Sequence, residues 1–173
     1  MIIKNIRHRI RLGWQLFKLA WRNDVLIEKS VTVKYVDTVR FGKKCTLQSG
    51  VYLYGSRKGN AVVFGDHVAV GSLCMLLGEG GLSVGDFTHF GPSVIVTTQY
   101  GDSGSEQCSE DAVLKYSPVK IGKGCWIGAG SVIMPGVVLG DRCIVTPNSV
   151  VYGVWKDNAK LVGNPARNMA QKV

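Results

Sequence analysis

Three histidines are the imidazoles this 173-residue chain offers for proton transfer or metal binding: His8, His67 and His89. None lies beyond residue 89. His8 falls in an N-terminal segment that reads as a helix, where it is a polar-face residue. His67 sits in a Gly65-Asp66-His67 corner. Five cysteines offer thiol chemistry, but no spacing among them suggests a zinc cluster or a redox pair. Cys45, Cys74, Cys125 and Cys143 recur at one place of a repeat and read as small core residues, which points to a reduced, cytosolic compartment. Cys108 lies in a polar stretch over residues 100–118 with Asp102, Glu106, Glu110 and Asp111. Such a carboxylate is a weak base near neutral pH unless its pKa is raised.

The elements that must position these groups are set by a period of six. Residues 121–155 read IGKGCW IGAGSV IMPGVV LGDRCI VTPNSV VYGVW. The first place is always aliphatic, the fifth is small or apolar through the first five blocks, and glycine takes second place in three. That period fits neither a helix nor one alternating strand. It fits a short strand and a turn repeated as a β-solenoid, with two inward positions per block building a continuous core. The register starts at Phe41, breaks at the polar turn 56–60, and resumes from Phe64. Three blocks make a triangular coil. Segments 41–58, 64–81, 84–101, 121–138 and 139–156 give about five coils, with 25–40 an irregular first one. The expected organisation is an N-terminal helix over 1–24, the solenoid over 25–156 and a basic tail over 157–173. The excursion at 100–118 interrupts the solenoid, and a long excursion from a regular scaffold is usually functional.

Hydrophobic content of 46% against 19% charged residues excludes wholesale disorder. No apolar run is long enough to span a bilayer, and the N-terminus does not read as a secretory signal. Residues 1–22 place Ile3, Ile6, Ile10, Trp14, Phe17 and Trp21 on one side of a helix, beside a basic side. That stripe packs on the solenoid end or on a partner subunit, while its basic side can meet an acidic membrane. The net charge of +9 favours anionic partners, but no nucleic-acid motif accompanies it.

The run from Val119 to Arg167 resembles the hexapeptide-repeat acyltransferases, in their sugar O-acetyltransferase branch. It does so through Ile121-Gly122-Lys123-Gly124-Cys125-Trp126-Ile127-Gly128, Pro135-Gly136-Val137, Leu139-Gly140-Asp141, Asn148-Ser149-Val150-Val151 and Gly163-Asn164-Pro165-Ala166-Arg167. With the earlier blocks the resemblance covers residues 41–168. It implies an all-β left-handed parallel β-helix, a homotrimer with active sites between subunits, and acetyl-CoA as co-substrate without a metal. It also implies that the backbone N–H of Ala129 stabilises the developing oxyanion. Trp126 and Pro147 would flank the CoA arm, and Arg167 would reach its phosphates. Tyr100 and Asp102 in the loop would face a sugar or lipid-linked glycan acceptor, at the cytoplasmic face of the membrane.

The sequence departs from the family at one place. The usual catalytic histidine is replaced by Gly101. His89 matches an active-site histidine of the nucleotide-sugar N-acetyltransferase branch, which makes it the candidate base. That branch's second histidine, nine residues earlier, is here Gly80, beside Glu79. Asp102 and Glu79 are the substitute bases. Two readings follow: an acetyl-CoA-dependent O-acetyltransferase acting on a sugar or surface-polysaccharide precursor, or a divergent scaffold that only binds CoA. A zinc enzyme of the carbonic-anhydrase type on the same fold would need three converging histidines, which His8, His67 and His89 do not supply.

Overall fold

The computed structural model describes residues 21–101 and 114–169. His8, the greater part of the expected helix over 1–24, Asp102 and Cys108 lie outside the described residues. Among those described, the chain winds as a parallel β-solenoid with three faces. The first face stacks Leu26–Ile27, Thr46–Leu47, Ala69–Val70, His89–Phe90, Trp126–Ile127, Ile144–Val145 and Lys160–Val162. The second stacks Thr32–Lys34, Tyr52–Tyr54, Met75–Leu77, Ile95–Thr97, Val132–Ile133 and Val150–Val151. The third stacks Val39–Phe41, Val62–Phe64, Leu82–Val84, Val119–Ile121, Val138–Leu139 and Val154–Trp155.

The two inward places per block are the core. Leu47, Leu53, Leu76, Ile127, Ile133 and Val145 are buried from the first place, and Cys45, Val51, Cys74, Cys125 and Cys143 from the fifth. Leu76 is sealed on all sides. Burial of this kind contributes about 1.5–3 kcal/mol per large aliphatic side chain, which is why the inward places tolerate so little chemical variety.

The solenoid makes about six turns, not five. Residues 25–41 form a full coil in register with the next, pairing Leu26 with Thr46, Val33 with Leu53 and Val39 with Val62. Its inward residues Val25, Val33 and Val39 are buried like those of later coils. The period is hard to read there because its corners lack glycine. Ser30 and Tyr35 adopt the left-handed conformation themselves, at φ of 63° and 53°.

The excursion leaves from the corner between the second and third faces. At its base Gln99–Gly101 pairs antiparallel with Leu114–Tyr116. The Ser117 N–H donates to the Thr98 carbonyl at 2.9 Å and closes the ribbon. At the C-terminal end, Arg167–Asn168 folds back antiparallel on Lys160–Val162, after a cis Asn164–Pro165 bond. The Ala166 N–H donates to the Val150 carbonyl at 2.7 Å and fixes that return. No helix among the described residues is long and apolar enough to cross a membrane.

Candidate active site

His89 and Trp126 are direct cross-strand partners on the first face. Their side chains point outward because Phe90 and Ile127, next in each strand, point into the core. The rings stack with centroids 5.6 Å apart and planes 27° apart. Trp126 is 57% exposed, so the outer flank of this pair is open to solvent. The same two strands then turn the corner between the first and second faces, where Gly91 and Ala129 lie.

That corner carries a vertical ladder of backbone donors. In the early coils a side chain from the coil below caps each one. Glu28 Oε2 accepts the Ser49 N–H at 2.9 Å, and Gln48 Oε1 accepts the Ser72 N–H at 3.0 Å. At the matching places higher up stand Pro92 and Pro147, which have no N–H to satisfy, and Ala129, which does. The residue below Ala129 is Gly91, which has no side chain with which to cap it. A Cβ built on Gly91 would come 2.7 Å from the Ala129 nitrogen. The Ala129 N–H therefore has no acceptor among the described residues, at the corner that follows the His89–Trp126 pair. A fixed, uncapped N–H of this kind is the element an oxyanion site requires. Gly91 was not singled out as a site residue from sequence. The signal was present in its contrast with Glu28 and Gln48 at the equivalent places.

Pro147 stacks directly against Gly128 on the same corner. Arg167 lies on the C-terminal continuation of the first face, paired with Val162. From Trp126 the face runs through Ile144 and Lys160 to that returning strand, three strand spacings or about 14 Å. Trp126, Ala129, Pro147 and Arg167 thus share one side of the solenoid, with Lys160 adding a second cation at the far end. The fit of CoA to this side rests on the bare donor at one end of the strip and the cations at the other. At the start of the same face, Lys123 Nζ meets Asp86 Oδ2 at 3.0 Å. A hydrogen bond from the Asp66 N–H, helped by Lys123, holds the Asp86 carboxyl below its usual range. The carboxylate in turn raises the Lys123 ammonium.

Tyr100, Gly101 and Glu79 are elsewhere. They sit at the corner between the second and third faces, which is the vertex opposite the first face. Within one chain the structure does not bring His89 together with Tyr100 or Gly101. Glu79 is the one ionisable carboxylate buried among the described residues. Its Oε2 accepts the Arg57 N–H at 3.2 Å, and its Oε1 lies 3.5 Å from Arg57 Nε without a hydrogen bond. Among the described residues no group of three or more metal-ligating side chains is found.

Residues 118–153 match the family model described as "Bacterial transferase hexapeptide (six repeats)". Nodulation protein L of Rhizobium meliloti is 37% identical over 109 residues, covering 63% of this chain. This chain spans 59% of that relative's length. A putative colanic acid biosynthesis acetyltransferase, WcaF of Escherichia coli, is 27% identical over 168 residues, covering 95% of this chain and 88% of the relative. Among solved structures, AntD, an N-acyltransferase from Bacillus cereus in complex with dTDP and 3-hydroxybutyryl-CoA, superposes with a TM-score of 0.73 at 26% identity. That alignment covers 84% of this chain and 79% of AntD.

Proposed function

We propose that the chain is a hexapeptide-repeat acyltransferase that transfers the acetyl group of acetyl-CoA to a hydroxyl of a sugar in surface-polysaccharide assembly. The observation that carries this reading is the uncapped Ala129 N–H above Gly91. The relative named for colanic acid biosynthesis supports a sugar acceptor, and the CoA-bound neighbour supports the co-substrate. Bound acetyl-CoA supplies an activated thioester carbonyl. The Ala129 N–H donates to the carbonyl oxygen as negative charge develops on it. His89 takes the proton from the acceptor hydroxyl as that oxygen attacks, and returns it to the departing sulfur. Trp126 shields one flank of the arm, Pro147 lines the corner, and Arg167 with Lys160 holds phosphate.

Tyr100, at the base of the excursion, lies at the vertex opposite this face, and we propose that an acceptor held near it meets the His89–Ala129 strip of a neighbouring copy. We therefore assign the active form as a homotrimer with its sites between subunits. The replacement of the family's histidine by Gly101 favours a second reading, a scaffold that binds CoA without turnover.

The deciding experiment measures free CoA thiol released by purified chain from acetyl-CoA with a sugar acceptor. The Gly91→Ala variant, which lays a methyl group against the donor, is expected to lower kcat by about 10²–10³-fold while still binding CoA. CoA binding with no thiol release in the unsubstituted chain, across acceptors, selects the scaffold reading instead.

A further inference from the structure

The turn over residues 56–60 is built more carefully than a solvated surface turn needs. It inserts between Tyr52–Tyr54 and Val62–Phe64, at the same vertex as the excursion. Ser56 is buried. Its N–H donates to Thr38 Oγ1 at 2.9 Å, its hydroxyl donates to the Glu79 carbonyl at 3.0 Å, and it accepts the Lys58 N–H at 3.1 Å. Asn60 Nδ2 reaches the same Glu79 carbonyl at 2.8 Å. The Glu79 carboxylate takes the Arg57 N–H and stands beside the Arg57 guanidinium.

The turn therefore presents two adjacent cations in fixed places. Arg57 keeps 57% of its side chain exposed over a carboxylate that is 1% exposed. The buried Glu79 carboxylate is the negative group that faces it. Lys58 reaches across to the returning strand of the excursion, with Nζ 4.0 Å from the centre of the Tyr116 ring. The Tyr35 ring packs edge-on against Tyr54, with centroids 5.0 Å apart, and its phenol pushes that of Tyr54 up to about 12, so Tyr54 stays neutral. A buried carboxylate is costly unless it is paired, and here its partner is a guanidinium that remains largely exposed. Within one chain that vertex is opposite the face assigned to CoA, so these cations are not placed for the phosphates of CoA bound on the same copy.

We infer that Arg57 and Lys58 form an anion site for the phosphate of the acceptor, which is a sugar carried on a diphosphate. Arg57 supplies the forked donors that phosphate oxygens match, and Lys58 a point charge. Tyr116 and Tyr54 flank them, and Glu79 is a positioning residue. The inference rests on the acetyltransferase reading for the sugar, but not for the anion.

The test is calorimetric titration of inorganic pyrophosphate into the full chain at low ionic strength, with saturating CoA present to occupy the opposite face. Arg57→Gln/Lys58→Gln is expected to weaken pyrophosphate binding at least tenfold. Lys43→Gln/Lys44→Gln, an equal loss of charge on another corner, is expected to leave it unchanged. No binding by the unsubstituted chain, or equal weakening in both variants, overturns the site. Uridine diphosphate and vesicles doped with a polyprenyl diphosphate then compete for it. Displacement by the first marks a nucleotide-linked acceptor and by the second a lipid-linked one. Displacement by neither overturns the acceptor assignment. Because binding needs no turnover, a chain that binds pyrophosphate through Arg57 and Lys58 but releases no CoA keeps this site and loses the transferase reading. A chain that releases CoA with an acceptor KM unmoved in Arg57→Gln/Lys58→Gln does the reverse.

Discussion

His89 stacks on Trp126 across adjacent strands of the first face, with ring centroids 5.6 Å apart. The indole thereby holds the imidazole at one end of the strip that leads through Ala129 to Arg167. Replacing either residue should separate two functions that lie side by side. His89→Ala is expected to lower kcat by about 10²–10⁴-fold with little change in KM for acetyl-CoA. Trp126→Ala is expected to raise that KM. Steady-state kinetics with each substrate varied will distinguish them. Unchanged turnover in His89→Ala would remove the imidazole from the mechanism.

Arg167 should matter for CoA and not for its pantetheine arm. Arg167→Gln is expected to weaken CoA binding about tenfold, consistent with loss of one charge-assisted contact, while pantetheine binds as before. Calorimetry with both ligands reads the difference.

The Asp86–Lys123 pair makes corner stability depend on pH in a stated direction. The Asp86 carboxyl is held below its ordinary value of 3.8. Its contribution is complete above the unfolded-state pKa and is lost as pH falls through the folded one. Lys123 is raised above 10.5, so its contribution is complete below that value and is lost as pH climbs through the folded one. Denaturant midpoints should therefore fall from about pH 4 downward, and Asp86→Asn should flatten that slope. Both groups are on the surface, so the effect should shrink in high salt.

The four inward cysteines should be inert in the folded chain. Burial raises all four thiols, and Cys125 is pushed up to about 11. In a Cys108→Ser background, thiol reagents are expected to label none of them until denaturant unfolds the solenoid. Fast labelling of any one under native conditions would place it outside the core.

Much of this was legible in the chain. The period alone places Phe41, Leu47, Leu76, Ile127 and Val145 inward, and each is buried. The first coil was under-read because Ser30 and Tyr35 take left-handed corners where glycine would have marked them. The polar stretch at 100–118 interrupts the period, yet Tyr100 pairs with Lys115 in an antiparallel ribbon. Those two residues are separated by a polar stretch that carries no alternation, so the pairing left no local trace.

What the sequence determined by itself is the scaffold, because a two-inward-places repeat leaves the hexad one efficient way to bury Leu, Ile, Val and Cys together. It also placed Trp126, Ala129 and Pro147 along one stretch. What only the tertiary structure decided is vertical. Glu28 caps Ser49 and Gln48 caps Ser72 across 21 and 24 residues, while Gly91 leaves Ala129 bare. These relationships depend on how many residues each coil consumes, and the turn at 56–60 and the excursion change that number. Stacking of whole coils sets which side chain lies under which amide, and it also carries Arg57, Glu79 and Tyr116 to a single vertex.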